Sequence, residues 1–365
     1  MTVHPHPLDV CGHGGTARVR DRQGRPALTV DVHAHVITPE AERLAADRPD
    51  KAEEMALRVR AMGQASVDFN AQVMLPVSMP KLTRLDARLA DMDAMGVDVQ
   101  VISPSPNQYH YWADEGLAEQ IVRVQNDNIA ELCARAPERL AGLGAVALQH
   151  PRLAVEQIRH AVRTLGLKGV EISTSIDGVE LSDPRFHPVW AELEALGAVL
   201  FIHPISCSLG QRLQPSYLSN SVGQPVETAV ALSHLIFGGV LDQRPGLKIV
   251  AAHGGGYLPT YIGRADNAWT YRPDARTCNC KPSSYLRRIY FDSLVYTPEA
   301  VKMLIDQVGV GQVVVGTDYP FDMGHYDVHG LIAQVPGLSD DERAAILGGN
   351  LVKLLGLDAM AHAHA

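Results

Sequence analysis

Short apolar runs rich in Val, Ile, Leu and Ala recur along the chain, separated by longer stretches with a different pattern. Strands buried on both faces of a parallel sheet look like this, because they are apolar throughout rather than at every second position. Eight such runs are present, at 27–35, 97–103, 140–148, 167–173, 198–204, 247–255, 288–293 and 312–320. They predict eight parallel strands.

Between these runs, hydrophobic residues recur at three- and four-residue spacing, which is typical of amphipathic helices. The stretch 113–137 ends at a proline, and the stretch 151–166 begins with proline and ends with glycine, as helices often do. The same pattern occurs at 184–197, 226–239, 297–309 and 339–356. Eight strand–helix units predict an α/β fold of the (β/α)8 barrel (TIM barrel) type, with a doubly wound open sheet as the alternative.

One segment interrupts the repeat. Residues 36–90 are too long for a simple connection between a strand and a helix. They leave the C-terminal end of the first strand, where such barrels place their chemistry. We predict that they form an insertion over the active site of a single barrel domain that spans 27–357. Residues 1–26 are predicted to be a polar N-terminal extension, and residues 358–365 a frayed tail.

Composition narrows the classes of function. The chain is 46% hydrophobic and 20% charged, which is ordinary for a globular protein. Its net charge is −9, and the absence of a long basic run argues against a nucleic-acid partner. No apolar run is long enough to predict a membrane span or a signal peptide. Together with few, widely spaced cysteines, this pattern favours a cytoplasmic enzyme.

Ionisable residues stand at the C-terminal ends of four predicted strands. His33 and His35 are two positions apart at the end of the first strand, so their side chains point to the same side. His203, His253 and Asp318 end the fifth, sixth and eighth strands. Barrel active sites form at this face, and a buried His or Asp must be ligated, paired or hydrogen-bonded. The convergence of five such residues predicts a metal site.

The residue types indicate which metal is bound. Three imidazoles and one carboxylate, with space for a water, suit Zn²⁺, and leave Mn²⁺, Fe²⁺ and Co²⁺ open. A two-metal site would usually need a bridging ligand, which some barrels of this kind supply as a modified Lys at the end of the fourth strand. No Lys stands there in this chain, so one metal is favoured. His33, His35, His203 and Asp318 complete a four-ligand set, and His253 is therefore assigned to proton transfer in catalysis. The three glycines after His253 would let the backbone approach a ligand closely.

These motifs resemble the amidohydrolase superfamily, in the branch of aminocarboxymuconate semialdehyde decarboxylase and related decarboxylases. The matching pieces are DVHAH (31–35), ADMDAMGVDVQVIS (90–103), FIHP (201–204), GQRLQPSYL (210–218), AAHGGGYLPTYIGRADNAW (251–269) and VVGTDYPFDMG (315–324). The resemblance implies a single zinc ion held by the four ligands above, a metal-bound water that His253 activates, and a catalytic part for Asp318.

The resemblance also implies a reaction. It indicates a non-oxidative decarboxylase, a carbon–carbon lyase, that acts on an aromatic or muconate-semialdehyde-like carboxylic acid without an organic cofactor. The alternative is a hydrolase or hydratase acting on a lactone, C–N or C=C bond, because the fold and ligands are shared by both. A third interpretation is a non-catalytic, metal-stabilised scaffold. The HGGG…GRADNAW and DYPF strings favour the decarboxylase.

Candidate substrate-binding residues follow from the same resemblance. Arg264 matches an arginine that binds the substrate carboxylate, in some members across the interface of a homodimer, and a guanidinium suits that role. Phe321 and Tyr217 could wall the pocket of a small carboxylic acid. The alternatives are a surface position for Arg264 and core packing for the two aromatic residues.

The chain departs from the family in one place. Residues 70–80 lack the second substrate-binding arginine that the family carries before the MDAMGVDVQV motif. Its candidate replacements are Arg58, Arg60, Lys81 and Arg84. This difference indicates another aromatic or unsaturated acid, with one charge fewer or a different shape.

Overall fold

All eight apolar runs form parallel strands, which we number β1 to β8 in chain order. The computed structural model describes residues 17–20, 23–24, 26–205, 207–358, 360 and 364, so most of the predicted N-terminal extension and part of the predicted tail lie outside it. The strands are β1 Val30–Val36, β2 Val99–Pro104, β3 Leu140–Gly142, β4 Gly169–Ile172, β5 Val199–Ile202, β6 Lys248–Ala251, β7 Ile289–Asp292 and β8 Val313–Val314. Nearly every residue in them is buried, which explains the lack of alternation.

The strands close into a ring. β1, β2 and β3 pair in that order, and β4 to β8 pair in sequence order, all in parallel. Three isolated bridges join these groups: Gly144 with Val170 beside β3 and β4, and Asp31 with Val315 and Ala34 with Tyr319 beside β1 and β8. The predicted barrel is confirmed, and the open-sheet alternative is wrong.

Most strands are shorter than the predicted runs, and the two shortest, β3 and β8, have local features where their pairing stops. Beyond β3, the side chain of Asn126 replaces a strand partner: its Oδ1 accepts the Ala145 N–H at 2.7 Å, and its Nδ2 donates to the Ala145 carbonyl at 3.1 Å. Beyond β8, pairing with β1 continues only at isolated positions, in a stretch where Asp318 adopts a φ of 58° and β1 has a register shift between Asp31 and Ala34.

Helices fill the connections as predicted, with some changes in bounds. The helices between strands are Leu85–Met95, Glu115–Arg135, Pro151–Arg159, His187–Leu196, Gln224–Phe237, Val240–Gln243, Leu258–Tyr271, Pro282–Tyr285 and Pro298–Val308. After β8 come Val328–Gln334, Asp340–Ala344 and Asn350–Leu355. The predicted helices 151–166 and 339–356 each contain a π-helical segment, His160–Thr164 and Ala345–Gly349. In the part of the chain that is described, no helix combines the length and apolarity needed to cross a bilayer.

An apolar cluster fills the barrel below its C-terminal mouth. The strands contribute Val30, Val32, Val99, Val101, Ala141, Leu143, Val199, Phe201, Val250, Ala252 and Val314. Leu351, Leu354 and Leu355 of the last helix pack on the same cluster. Because apolar side chains fill the interior below, the polar residues at the C-terminal strand ends meet above this cluster, at the C-terminal mouth.

The insertion segment (36–90) is largely helical. It contains Pro39–Ala45, Pro49–Met62, Gln64–Phe69, a π-helix at Asn70–Met74, Leu75–Thr83 and the start of Leu85–Met95. Glu54 ties it to the barrel, since its Oε2 accepts the Trp112 indole N–H at 3.0 Å. Within the insertion, Oε1 of Glu54 accepts from Arg58 at 2.5 Å, and Lys51 lies 3.3 Å from Glu54 and 3.6 Å from Glu42. The Trp112 bond joins the insertion to the connection after β2, and the other contacts hold Glu54 in place.

We expect Glu54→Gln to loosen the insertion segment. Burial raises the pKa of Glu54, but His110, Arg58 and Lys51 lower it by more, so the net pKa is below its usual value and the charged form is stabilised. Its contribution to folding is present above the carboxyl's ordinary pKa and is lost as the pH falls below it. Losing a charged hydrogen bond should cost about 1.5–3 kcal/mol and speed proteolysis within 49–62 at neutral pH. The matched control is Glu53→Gln on the exposed face of the same helix; equal cleavage rates in the two variants would contradict the prediction.

Candidate metal centre and active site

The five ionisable residues predicted at the strand ends meet at the mouth of the barrel. The imidazole centroids of His33, His35 and His203 lie 4.8–5.1 Å from one another. The His253 ring lies 5.0 Å from that of His203 and 5.2 Å from that of His33. Asp318 sits among them, and its Oδ1 is 3.3 Å from Nε2 of both His33 and His35.

The atoms at the centre of this cluster have no hydrogen-bond partner among the residues that the structure describes. They are Nε2 of His33, Nε2 of His35, both ring nitrogens of His203, and Oδ1 of Asp318. Buried polar atoms nearly always have a partner, so the cluster is incomplete without a further group. One ligand atom from each of His33, His203, His253 and Asp318 lies within 4.8 Å of the others. Imidazole nitrogens and one carboxylate form a donor set that fits a divalent ion such as Zn²⁺.

Burial and charge make this centre favour a cation. Burial lowers the pKa of His203 well below its usual value, and the neighbouring His33 and His35 lower it further. Burial acts in the same direction on His33, but the charge of Asp318 and the bond to Asp292 raise the pKa of His33 to about 10. Positive charge, carried by a proton or by a metal ion, is therefore needed to balance the buried carboxylates.

Asp292 is a functional candidate that sequence reasoning missed. It ends β7 fully buried, and its Oδ2 lies 2.7 Å from Nδ1 of His33. Its Oδ1 accepts the Gly254 N–H at 2.8 Å. A carboxylate on the far nitrogen fixes an imidazole so that its other nitrogen can serve as a ligand. The signal was present, because Asp292 ends a predicted strand just as Asp318 does.

We expect Asp292→Asn to weaken metal binding about 10–100-fold, the usual effect of losing such a carboxylate partner. The asparagine oxygen can still accept from Gly254, but it lacks the charge that orients His33. Competition with a chromophoric chelator measures the affinity. Asp242→Asn is the matched control, since Asp242 bonds the Tyr285 hydroxyl outside the centre. Unchanged affinity in Asp292→Asn would contradict this role.

His35 is oriented by a different acceptor. Its Nδ1 lies 3.3 Å from the Pro104 carbonyl oxygen, which can only accept, so Nδ1 carries the hydrogen and Nε2 is left with a free lone pair. Glu171, another strand-end residue that the sequence reasoning passed over, places its Oε2 3.6 Å from the same Nδ1. The Tyr109 hydroxyl donates to Glu171 at 2.5 Å, and burial raises the pKa of that carboxyl.

The backbone at the centre is unusual for non-glycine residues. His253 has a φ of 54° and Asp318 a φ of 58°, and such conformations are concentrated at functional sites. The glycines after His253 meet protein rather than a ligand. A Cβ on Gly256 would lie 1.9 Å from the Pro225 carbonyl oxygen, and one on Gly255 would lie 2.6 Å from the Phe291 ring. Glycine is needed there so that the chain after β6 can pack closely.

Two cavities open from the centre. The first, of about 350 Å³, reaches under the insertion segment and is lined at its metal end by His203, Asp318, Phe321 and Tyr217. The second, of about 360 Å³, is lined by residues that include His253 and Asp318. Both volumes lie in the range of small-molecule sites, about 300–1,000 Å³. Phe321 and Tyr217 line the first cavity, and the Phe321 ring lies 5.5 Å from that of His35, so their contact with a substrate stays a prediction.

The Arg and Lys residues predicted to bind substrate do not come together at the centre. Arg264 is exposed on the helix Leu258–Tyr271 and is not among the described residues that line either cavity. Of the candidate replacements for the missing arginine, Arg58 lines the first cavity. Lys81 pairs instead with Asp91, and Arg84 with Asp86.

Comparison with known proteins identifies the family. The Amidohydrolase family (Amidohydro_2) matches residues 30–357, and the chain belongs to that family. The 2-amino-3-carboxymuconate-6-semialdehyde decarboxylase of Dictyostelium discoideum is 37% identical over 275 residues, which cover 75% of this chain and 77% of the relative. The gamma-resorcylate decarboxylase of Rhodococcus jostii (strain RHA1) is 30% identical over 291 residues, covering 75% and 88%.

A solved structure agrees with these relatives. The crystal structure of 5-carboxyvanillate decarboxylase LigW from Sphingomonas paucimobilis matches with a TM-score of 0.78 at 27% identity, over 90% of this chain and 99% of that one. The predicted branch of decarboxylases related to aminocarboxymuconate semialdehyde decarboxylase is therefore confirmed. The prediction of an enzyme, a carboxy-lyase of the amidohydrolase superfamily, is confirmed with it.

Proposed function

We propose that this protein is a metal-dependent, non-oxidative decarboxylase that removes CO₂ from a small aromatic or muconate-like carboxylic acid. One observation carries the proposal. Nitrogens of His33, His35 and His203 that have no hydrogen-bond partner in the described part of the chain converge with Asp318 where two cavities meet. The relatives of the chain decarboxylate acids of this kind. Such a centre combines a place for a cation with a place for an organic acid.

We assign His33, His35, His203 and Asp318 as ligands of one divalent ion, with zinc proposed ahead of manganese, iron and cobalt. The far nitrogens of His33 and His35 face oxygen acceptors, which supports their Nε2 atoms as ligands. When bound, the metal would supply positive charge that anchors the oxygen atoms of the substrate.

We assign His253 to proton transfer. Its Nε2 lies 3.8 Å from Oδ2 of Asp318, farther than the 3.3 Å contacts that His33 and His35 make with Oδ1. It also lines the second cavity and is only partly buried, so it can face a substrate held at the centre. The carbon that bears the carboxylate takes a proton, the carbon–carbon bond breaks, its electron pair returns to that carbon's π system, and CO₂ leaves. Asp318 faces His33 and His35 with Oδ1 and His253 with Oδ2. We therefore assign it a part in both metal binding and proton transfer.

The experiment that tests this function measures CO₂ release from a panel of acids. The panel contains 2-amino-3-carboxymuconate-6-semialdehyde, 2,6-dihydroxybenzoate, 5-carboxyvanillate and simple salicylates, each incubated in D₂O. A decarboxylase yields a product that has lost CO₂ and carries one deuterium at the carbon that held the carboxylate. A product heavier by one water, with no CO₂ released, would contradict the proposal and indicate a hydrolase or hydratase.

We also propose a cytoplasmic homodimer. The helix Leu258–Tyr271 and the residue before it expose Tyr257, Tyr261 and Tyr271 at 45%, 69% and 74%, and aromatic residues are enriched at interfaces. Tyr257 also lines the second cavity, so this face lies next to the centre. Arg264 on the same helix could then serve the partner's site. The four described cysteines are free, which agrees with a reducing compartment.

Mixing inactive Arg264→Ala and His253→Gln chains should restore CO₂ release. A mixed dimer would contain one site with an intact His253 and an intact partner arginine, so up to one site in each mixed dimer should work. The rate is measured after the two purified variants are unfolded and refolded together. Refolding each variant alone is the control, and the absence of any gain on mixing would contradict a role for Arg264 across the interface.

A further inference from the structure

We propose that the substrate carries an apolar substituent of several carbon atoms, which the first cavity holds against the insertion segment. The inference rests on the proposed function of the same site and names its substrate class. A decarboxylase needs only a place for the carboxylate and for the ring or diene that bears it. The first cavity extends beyond the metal end, and the chemistry of that extension indicates what else the substrate carries.

Methionines form much of the wall of the first cavity, and we call them the methionine wall. Met55, Met62, Met74 and Met79 of the insertion segment line the first cavity, and Met323 lines both cavities. The chain has ten methionines, so half of them surround this one space. Methionine is flexible and polarisable and adapts to irregular apolar shapes. Val67 and Leu75 extend the same wall.

The two permanent cations among the described lining residues are already paired. Arg58 donates to Glu54 at 2.5 Å and to the Asn107 side chain at 2.7 Å. Lys51 lies 3.3 Å from Glu54 and 3.6 Å from Glu42. A second carboxylate on the substrate would have to displace Glu54 from these partners and would then lie beside Glu42. The charge balance therefore favours an uncharged group over a second acid group.

Four amide side chains line the first cavity, and two of them, Asn70 and Asn107, do not line the second. Asn220 and Gln224 line both cavities, and the cavities meet at Asp318, so these amides belong to the shared region. The methionines of the insertion segment line the first cavity only. The space is thus polar beside the metal centre, and beneath the insertion it combines the methionines with two amides and with the paired charges of Glu42, Lys51 and Arg58. An acid with a hydrocarbon substituent matches both ends.

Binding of a homologous series to the metal-loaded protein tests this inference. The probes are 2-nitrophenols, in which a nitro group stands for the carboxylate so that no CO₂ can leave, with methyl, ethyl, propyl or butyl placed at each free ring position in turn. In at least one positional series, we expect Kd to fall about four-fold per CH₂, which corresponds to about 0.8 kcal/mol. The matching ω-carboxyalkyl compounds should bind more weakly than the alkyl ones.

Two variants locate the effect on the methionine wall. The first variant is Met55→Gln, and the fold should tolerate it because Met55 is 41% exposed. The second, Met74→Gln, changes another residue that lines the cavity. Both should flatten the dependence of Kd on chain length while leaving Kd for the methyl compound within about two-fold, since burying one group less removes only part of the apolar contact. Met303→Gln is the matched control, because Met303 is 43% exposed on an outer helix and lines neither cavity among the described residues.

The outcomes separate this inference from the function on which it rests. A Kd that stays flat or rises with chain length in every series, or tighter binding of the ω-carboxyalkyl compounds, would overturn the apolar substituent. If CO₂ were still released from the acid panel, the decarboxylase function would stand. Tightening along an alkyl series without CO₂ release from any corresponding acid would instead overturn the decarboxylase while leaving the apolar subsite. No binding of any probe would also overturn the apolar substituent, and CO₂ release from the acid panel alone would then decide the decarboxylase function.

Discussion

Replacing Asp318 with asparagine should abolish CO₂ release and remove the metal from the purified chain. Oδ1 of Asp318 lies 3.3 Å from Nε2 of two histidines, so its charge acts on the centre at close range. Burial opposes that charge, yet His33 and the other imidazoles hold the pKa of Asp318 well below its usual value. The carboxylate is thus ionised and available to a cation. Metal charge stabilisation is worth several kcal/mol, which at about 1.4 kcal/mol per tenfold predicts a loss of at least about 10³-fold in kcat/KM.

Metal content by mass spectrometry and kcat/KM should both be measured for Asp318→Asn. The matched control is Asp306→Asn, which removes an exposed carboxylate that pairs with Lys302 on an outer helix. This control should keep its metal and its activity. A full metal complement in Asp318→Asn, with activity within tenfold of the wild type, would show that Asp318 is not part of the centre.

The second large effect is expected for His253→Gln. Removing a positioned proton donor or acceptor typically lowers kcat by about 10²–10⁴-fold. Because we assign the metal to His33, His35, His203 and Asp318, the variant should keep its metal. Glutamine fills similar space and can still hydrogen-bond, but it cannot transfer a proton at neutral pH.

Metal content decides between two roles for His253. One of its ligand atoms lies within 4.8 Å of those of His33, His203 and Asp318, so the residue is also close enough to act as a ligand. Loss of metal together with activity in His253→Gln would contradict our assignment and make His253 a ligand. His234→Gln is the control, since His234 is a partly exposed histidine on the outer helix Gln224–Phe237.

Much of the fold could be predicted because barrel strands carry their signal locally. The apolar runs at 198–204 and 288–293 each contain a strand of four buried or nearly buried residues, β5 and β7. The length of β3 could not be predicted in this way. Its pairing stops where the Asn126 side chain bonds Ala145, and a contact between residues 19 positions apart leaves no mark on local periodicity.

The strand-end histidines could be recognised from sequence because the barrel brings all the C-terminal strand ends to one face. Asp292 and Glu171 obey the same rule, but the four-ligand set was already complete without them. They face Nδ1 of His33 and of His35, the nitrogens that point away from the metal site, so a search for metal ligands alone does not identify them. For Arg264, the sequence suggests a role that one chain alone does not explain, because its exposed side chain would need a second chain to reach a substrate.

The ion contacts of the insertion segment were also beyond sequence reasoning. Glu54 bonds Trp112 across 58 positions, and nothing in the polar pattern of residues 36–90 indicates that partner. The same limit applies to the methionine wall. Its members lie on separate helices of the insertion and in a turn after β8, and only folding brings Met55, Met74 and Met323 to one cavity.

The most direct test of the whole account is a metal-removal experiment on the unaltered protein. The chain is purified without chelators, its metal content per chain is measured, and CO₂ release from its best acid is followed before chelation, after chelation and after zinc or manganese is restored. We predict about one ion per chain, loss of CO₂ release when it is removed, and recovery when it is returned. CO₂ release that persists in the metal-free protein would contradict the account, as would a purified and folded chain that binds no divalent ion at its strand-end histidines.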